Sequence, residues 1–187
     1  MSMPSTDLVC NKCDFRGSNA VVWGDFRYVV DGREIPLERR LGWCTDCSNF
    51  VPMEDFSIKD ELLVQSEGIL ESMRIRTKRW ASFLMLGSTR QDRLNELERL
   101  SGLIDQLALI GKRNGSERCL KCGSANVERF SGIYAGLHPY SSDQEAIQTG
   151  FLHPGCGGEF LASTCPIRFH LRFDPKFYSV DGYRLDY

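Results

Sequence analysis

The sequence predicts an α+β fold: two small antiparallel-β units separated by a long antiparallel helical hairpin. Three observations carry that expectation. Short alternating apolar segments bounded by glycine-containing turns fill residues 1–56 and 115–187, as β-strands do. A stripe of apolar residues at helical spacing runs through 57–114 between them. Cysteine pairs of one spacing stand on both sides of that stripe.

The N-terminal unit, 1–56, opens with Cys10-x2-Cys13 and closes with Cys44-x2-Cys47, thirty residues apart. Between them AVVWGDFRYVV is β-like, and Asp31-Gly32 is a type I′ hairpin signal. The return segment alternates at Ile35, Leu37, Leu41 and Trp43 and is expected to bring Cys44 back beside Cys13.

Cys119-x2-Cys122, thirty residues and His153-x2-Cys156 repeat the same design, each position shifted by 109. Thiolates and imidazoles are the donors of tetrahedral structural zinc, as four cysteines or three with one histidine. Two donors three residues apart on a tight turn chelate one ion, and a second such turn completes the set. The sequence therefore predicts two Zn2+ per chain. One ion is expected on Cys10, Cys13, Cys44 and Cys47, and the other on Cys119, Cys122, His153 and Cys156. Cys165 is the alternative to His153 in the second set. Glycine after a knuckle suits a left-handed backbone, and Gly123 and Gly157 supply it in the second unit, where the first has Asp14 and Ser48.

CNKC/CTDC and CLKC/HPGC resemble the paired knuckles of the zinc-ribbon superfamily, over residues 8–53 and 117–173. The resemblance implies a small antiparallel sheet holding each pair of knuckles; both units are longer than usual between knuckles. It implies no single function, because ribbons serve many.

Residues 57–114 change period. Ser57-x-x-Asp60 matches a capping box, followed by Leu62, Leu63, Ile69, Leu70, Met73, Trp80, Phe83 and Leu84. Gly87 interrupts, and Ser88-x-x-Gln91 starts a second stripe of Leu94, Leu97, Leu100, Ile104 and Leu107 that ends at Gly111 and Asn114-Gly115. Two helices of about 25 residues, each some 35–40 Å long, are expected. In 115–187, GEFLAST, IRFHLRF and KFYSV–Asp181-Gly182–YRLDY read as strands, 137–147 as a surface loop, and His138 and His170 as non-ligands.

Lys and Arg number 23 against 25 Asp and Glu, which argues against a surface coated with cations for nucleic acid. No basic segment followed by an apolar run opens the chain, and no apolar stretch reaches membrane-spanning length. A cytoplasmic protein with reduced thiols and no membrane partner is expected. Complete four-donor sets leave no coordination position for substrate, and no Walker, HExxH or GxSxG motif is present, so no enzyme is expected. The expected function is a zinc-binding adaptor that engages a protein partner, with a homodimer through the helical hairpin as a further expectation. The alternative is nucleic-acid binding by Arg74, Arg76, Lys78, Arg79, Arg90 and Arg93 at the hairpin tip, with Trp23, Phe26, Tyr28 and Trp43 stacking on bases.

Overall fold

A computed structural model describes residues 3–79, 90–132, 145–169 and 173–185. The chain is mixed α+β, with two long helices and three small sheets among the described residues. The strands are β1 (Met3–Cys10), β2 (Arg16–Ser18), β3 (Phe26–Val30), β4 (Arg33–Pro36), β5 (Arg39–Cys44) and β6 (Asn49–Glu54) before the helices. After them come β7 (Val127–Arg129), β8 (Ile147–Leu152), β9 (Glu159–Phe169), β10 (Lys176–Tyr178) and β11 (Arg184–Leu185).

The Asp31-Gly32 hairpin forms as expected: both residues take positive φ, +50° and +76°, and Tyr28 faces Ile35 across β3–β4. The return segment does not continue to Cys44 as one strand. β4 is an edge strand that ends at Pro36, with Leu37 N still donating to Phe26 O at 2.9 Å, and β5 starts a different sheet. Cys44 thereby lies in a different sheet from Cys10.

Each sheet takes strands from both sides of the helices. The orders are β2-β1-β9-β8, β11-β10-β3-β4 and β6-β5-β7. No sheet is built from 1–56 alone or from 115–187 alone, so the strands of the two expected units are interleaved. The physical reason is edge pairing. A two-stranded hairpin is marginal by itself and leaves unpaired backbone groups at its edges. β9, the longest strand, runs antiparallel along β1, with Leu8 opposite Ala162 and Cys10 opposite Phe160. β7 fills the free edge of β5, with Cys44 opposite Val127. β10 joins β3 in parallel, the one pairing of that kind among the described strands.

Helices α1 (Lys59–Arg79) and α2 (Arg90–Lys112) pack on β3–β4 and on each other. Ile58 lies beside Leu109 and Ile110 at one end, while Gln65 meets Arg99 farther along, so the two helices run in opposite directions. Ser57 turns its hydroxyl to Asp55 instead of capping the helix. Past Lys112 the chain turns through Asn114 and Gly115, both at positive φ. Trp80, Phe83, Leu84, Gly87, Ser88, His138 and His170 lie outside the described residues. The first core joins Phe26, Tyr28, Ile35 and Leu37 to Leu62, Ile69, Leu100, Leu103, Leu109 and Ile110. The second is aromatic, built on Leu8, Leu41, Trp43, Phe50, Phe151 and Phe160 between the other two sheets.

Candidate metal centres

The four donor pairs gather into two clusters. Cys10, Cys13, His153 and Cys156 form one, and Cys44, Cys47, Cys119 and Cys122 form the other; within each, the ligand atoms all lie within 4.8 Å of one another. Both expected sets are therefore split. Cys10 and Cys13 belong with His153 and Cys156, and Cys44 and Cys47 with Cys119 and Cys122. The repeat of 109 identifies the pairs but is silent on how they combine, because it relates their positions along the chain and not their contacts. Strand order decides it: β1–β9 brings the first pair to the last, and β5–β7 brings the second to the third. The break at Pro36 is the one signal in the sequence that argues against the expected grouping.

The first cluster sits where β1 ends and β9 begins. Asn11 locks the two turns together, its N–H donating to Glu159 O at 3.0 Å and its Oδ1 accepting from Glu159 N at 2.9 Å. Cys10 Sγ lies 3.4 Å from Cys156 Sγ, and Cys156 Sγ lies 3.6 Å from Cys13 Sγ. His153 Nδ1 is 3.3 Å from Cys13 Sγ and 3.2 Å from Cys156 Sγ. The imidazole is buried, with Trp43, Phe15 and Phe160 packed round it at centroid distances of 4.8, 5.1 and 5.1 Å. Those aromatics fix the ring with its Nδ1 towards the sulfurs.

The second cluster sits between the β5–β6 turn and the chain that leaves α2. Leu120 N donates to Pro52 O at 2.9 Å, and Glu54 N donates to Arg118 O at 3.0 Å, so the segment 118–120 runs alongside β6. Thr45 N donates to Asn126 O at 3.0 Å on the other side. Cys44 Sγ is 3.7 Å from Cys122 Sγ, and Cys47 Sγ is 3.9 Å from Cys119 Sγ. Cys44 and Cys119 are fully buried, while Cys122 reaches the surface.

The donor sets fit a tetrahedral cation. Four sulfurs at about 2.3 Å from one ion stand about 3.8 Å apart, and a disulfide would draw two of them to about 2.05 Å. The observed separations match the first figure and not the second. Backbone N–H groups point at sulfur in both clusters, Lys12 N to Cys10 at 3.4 Å and Lys121 N to Cys119 at 3.3 Å. Such donors orient ligands and offset the negative charge of thiolates. The residue after a knuckle is left-handed at Ser48, Gly123 and Gly157, as the sequence predicts for the two glycines.

The thiols titrate apart within each cluster. Burial raises the Cys10 thiol, but the Lys12 N–H, Cys156 and His153 outweigh it and bring the thiol down to about 6. Burial, joined by Cys122 and Cys44, pushes Cys47 up to about 12 and also drives Cys119 upward. Several thiols crowded into one small volume compete for negative charge, so that some are lowered and others raised, and a divalent cation would relieve that competition.

Cys165 stands on β9 opposite Ser5, in neither cluster, so His153 and not Cys165 accompanies Cys156. Of the expected stacking aromatics, Phe26, Tyr28 and Trp43 are core residues, each at most 3% exposed, and cannot meet a base. Arg74 pairs with Glu71 on α1, and Arg93 is exposed on α2. The side chains of Arg76, Lys78, Arg79 and Arg90 lie outside the described residues. No described helix is long and apolar enough to cross a membrane. Comparison with protein-family models gives no match, and comparisons with curated proteins and with solved structures give none either.

Proposed function

We propose that this chain is a zinc-binding, non-enzymatic adaptor in which two zinc-ribbon-like structural centres hold a surface for a protein partner. One observation carries the proposal. Two four-donor clusters, each spaced for a tetrahedral ion, join segments on opposite sides of the helices. A set of four protein donors is closed, with no coordination position left for a substrate or a reactive water. Zinc is the ion that such sulfur-rich sets favour among those without redox chemistry. The ions act here as cross-links between short strands whose sheets are each too small to stand alone.

The proposal is tested by metal analysis of the purified chain, expected to give two zinc ions, followed by affinity capture with zinc-loaded and chelated protein. A partner held only by the loaded chain and unaffected by nuclease supports the adaptor reading. Capture lost on nuclease treatment and at high salt would support the alternative, with the basic end of α1 as the contact. A chain that binds no zinc ends both.

A further inference from the structure

The two helices leave an apolar face uncovered. Leu63, Leu70, Leu97 and Ile104 are 40%, 52%, 48% and 52% exposed, although the sequence places them in the same stripes as the buried Leu62, Ile69 and Leu100. Successive helical residues turn by about 100°, so the position of each can be read from its neighbours. On α1, Leu62 and Ile69 face the core, Leu63 and Leu70 lie on one flank, and Gln65 lies on the other. On α2, Leu97 and Ile104 lie on the flank opposite Arg99. Gln65 and Arg99 touch at 3.5 Å and mark their common side. The four apolar residues therefore share the other side. With the helices running in opposite directions, Leu63 stands level with Ile104, and Leu70 with Leu97. They form the corners of a patch about 10 Å long, at seven-residue spacing on both helices.

That patch maps onto itself under a two-fold axis through its centre, the symmetry of an isologous dimer. Charge along α1 selects the direction. Residues 59–71 carry one lysine against four carboxylates, whereas 72–79 carry Arg74, Arg76, Lys78 and Arg79 and no acid. Two copies laid head to tail stack α1 on α1 and put each basic half against the acidic half of the other. Laid head to head, α1 faces α2, whose two halves are each balanced in charge and offer no such attraction. The face is large enough. Helices of 21 and 23 residues, some 30 Å long and about 10 Å apart, present roughly 600 Å² per copy, which reaches the range of stable interfaces when doubled.

We infer that the occupant of this face is a second copy of the chain, docked head to tail to make a four-helix bundle through Leu63, Leu70, Leu97 and Ile104. None of these residues belongs to either cysteine cluster, so the dimer stands or falls apart from the zinc reading.

Sedimentation equilibrium of the full chain, with metal content measured on the same sample, tests it. A mass near twice 21.3 kDa at micromolar concentration is expected. The double variant Leu70→Glu/Ile104→Glu should weaken association at least ten-fold while far-UV dichroism and metal content stay unchanged. If that variant misfolds, Leu63→Ser/Leu97→Ser replaces it. Raised salt should weaken the dimer. A monomer at every concentration, or a dimer indifferent to both variants, overturns the inference and assigns the face to another occupant or the dimer to another surface. Association strengthened by salt overturns the head-to-tail direction. A dimer that forms with no zinc bound leaves this inference intact and sinks the metal reading instead.

Discussion

Arg113 meets Glu54 through two parallel hydrogen bonds, Nη1 to Oε1 at 3.0 Å and Nη2 to Oε2 at 2.8 Å, with the carboxylate fully buried and the guanidinium 6% exposed. Tyr28 and the backbone N–H of Arg118 also donate to Glu54, and Arg113 reaches Val180 O and Ser116 O. Burial raises the Glu54 carboxyl above its ordinary value against the pull of these donors, and pushes the Tyr28 hydroxyl up as well. Gly182 closes the site: a Cβ there would stand 2.8 Å from Arg113 Nη1 and 2.9 Å from Glu54 Oε1. One ion pair thus ties β6, the end of α2 and the β10–β11 turn together.

Removing one partner of such a pair leaves a buried, uncompensated charge, at a cost of about 3–5 kcal/mol. Arg113→Ala is expected to destabilise the chain by that amount in urea unfolding at constant zinc. A loss below about 1 kcal/mol would show that the pair is replaceable by water.

Double substitutions discriminate between groupings of the cysteines. Cys10→Ser/Cys156→Ser removes two donors of a single cluster, so one metal per chain should remain. Cys10→Ser/Cys44→Ser damages both clusters, so neither metal should be held tightly. The grouping suggested by the repeat of 109 predicts the reverse pattern. Mass spectrometry of the native protein counts the ions directly.

Gly158 lies against the first cluster with no room for a side chain. A Cβ there would stand 2.6 Å from both Cys10 Sγ and Lys12 Cβ. Gly158→Ala should force the two knuckles apart, lowering metal affinity at the cluster containing His153 and sparing the all-cysteine one. Overpacking of this kind costs about 1–3 kcal/mol. Equal losses at both sites in a chelator competition would count against this local account.

Asp55 provides a pH signature. Burial alone would raise its carboxyl, but the hydroxyl and N–H of Ser57 and the guanidinium of Arg40 outweigh it, leaving the carboxyl below its ordinary value. A carboxyl lower in the folded than in the unfolded chain adds stability above the unfolded value, about 4. That stability is lost as pH falls through the folded value. Asp55→Asn should therefore cost about 1–3 kcal/mol at neutral pH and progressively less below pH 4. A difference between variant and parent that stays constant from pH 7 to 3 would exclude this role.

Much of the local structure is legible in the sequence, and the long-range order is not. Asp31-Gly32 names its own hairpin because only a turn with two positive φ angles suits that pair. All eight donors can be read from the C-x2-C and H-x2-C spacing, because a chelating turn has one length. Which turns meet depends on strand pairing between residues far apart in the chain, 78 for Cys44 and Cys122 and 146 for Cys10 and Cys156, and alternation of Leu8 or Phe160 carries no record of the partner strand. The helical stripes show the same limit. Leu62 and Leu63 are alike by type, but only packing against β3–β4 buries one and exposes the other.

The two clusters are nested along the chain. Cys44 and Cys122 are 78 residues apart, whereas Cys10 and Cys156, which enclose them, are 146 apart. As the polypeptide leaves the ribosome, the inner set is complete once residue 122 has emerged, and the outer set must wait for residue 156. Closing the inner loop first also shortens the span that the outer one has to close, where each doubling of loop length costs about 0.6 kcal/mol. An order of assembly follows: an ion held by the outer set would require that residues 10–13 and 153–156 have both emerged and have met, with the inner set already able to form.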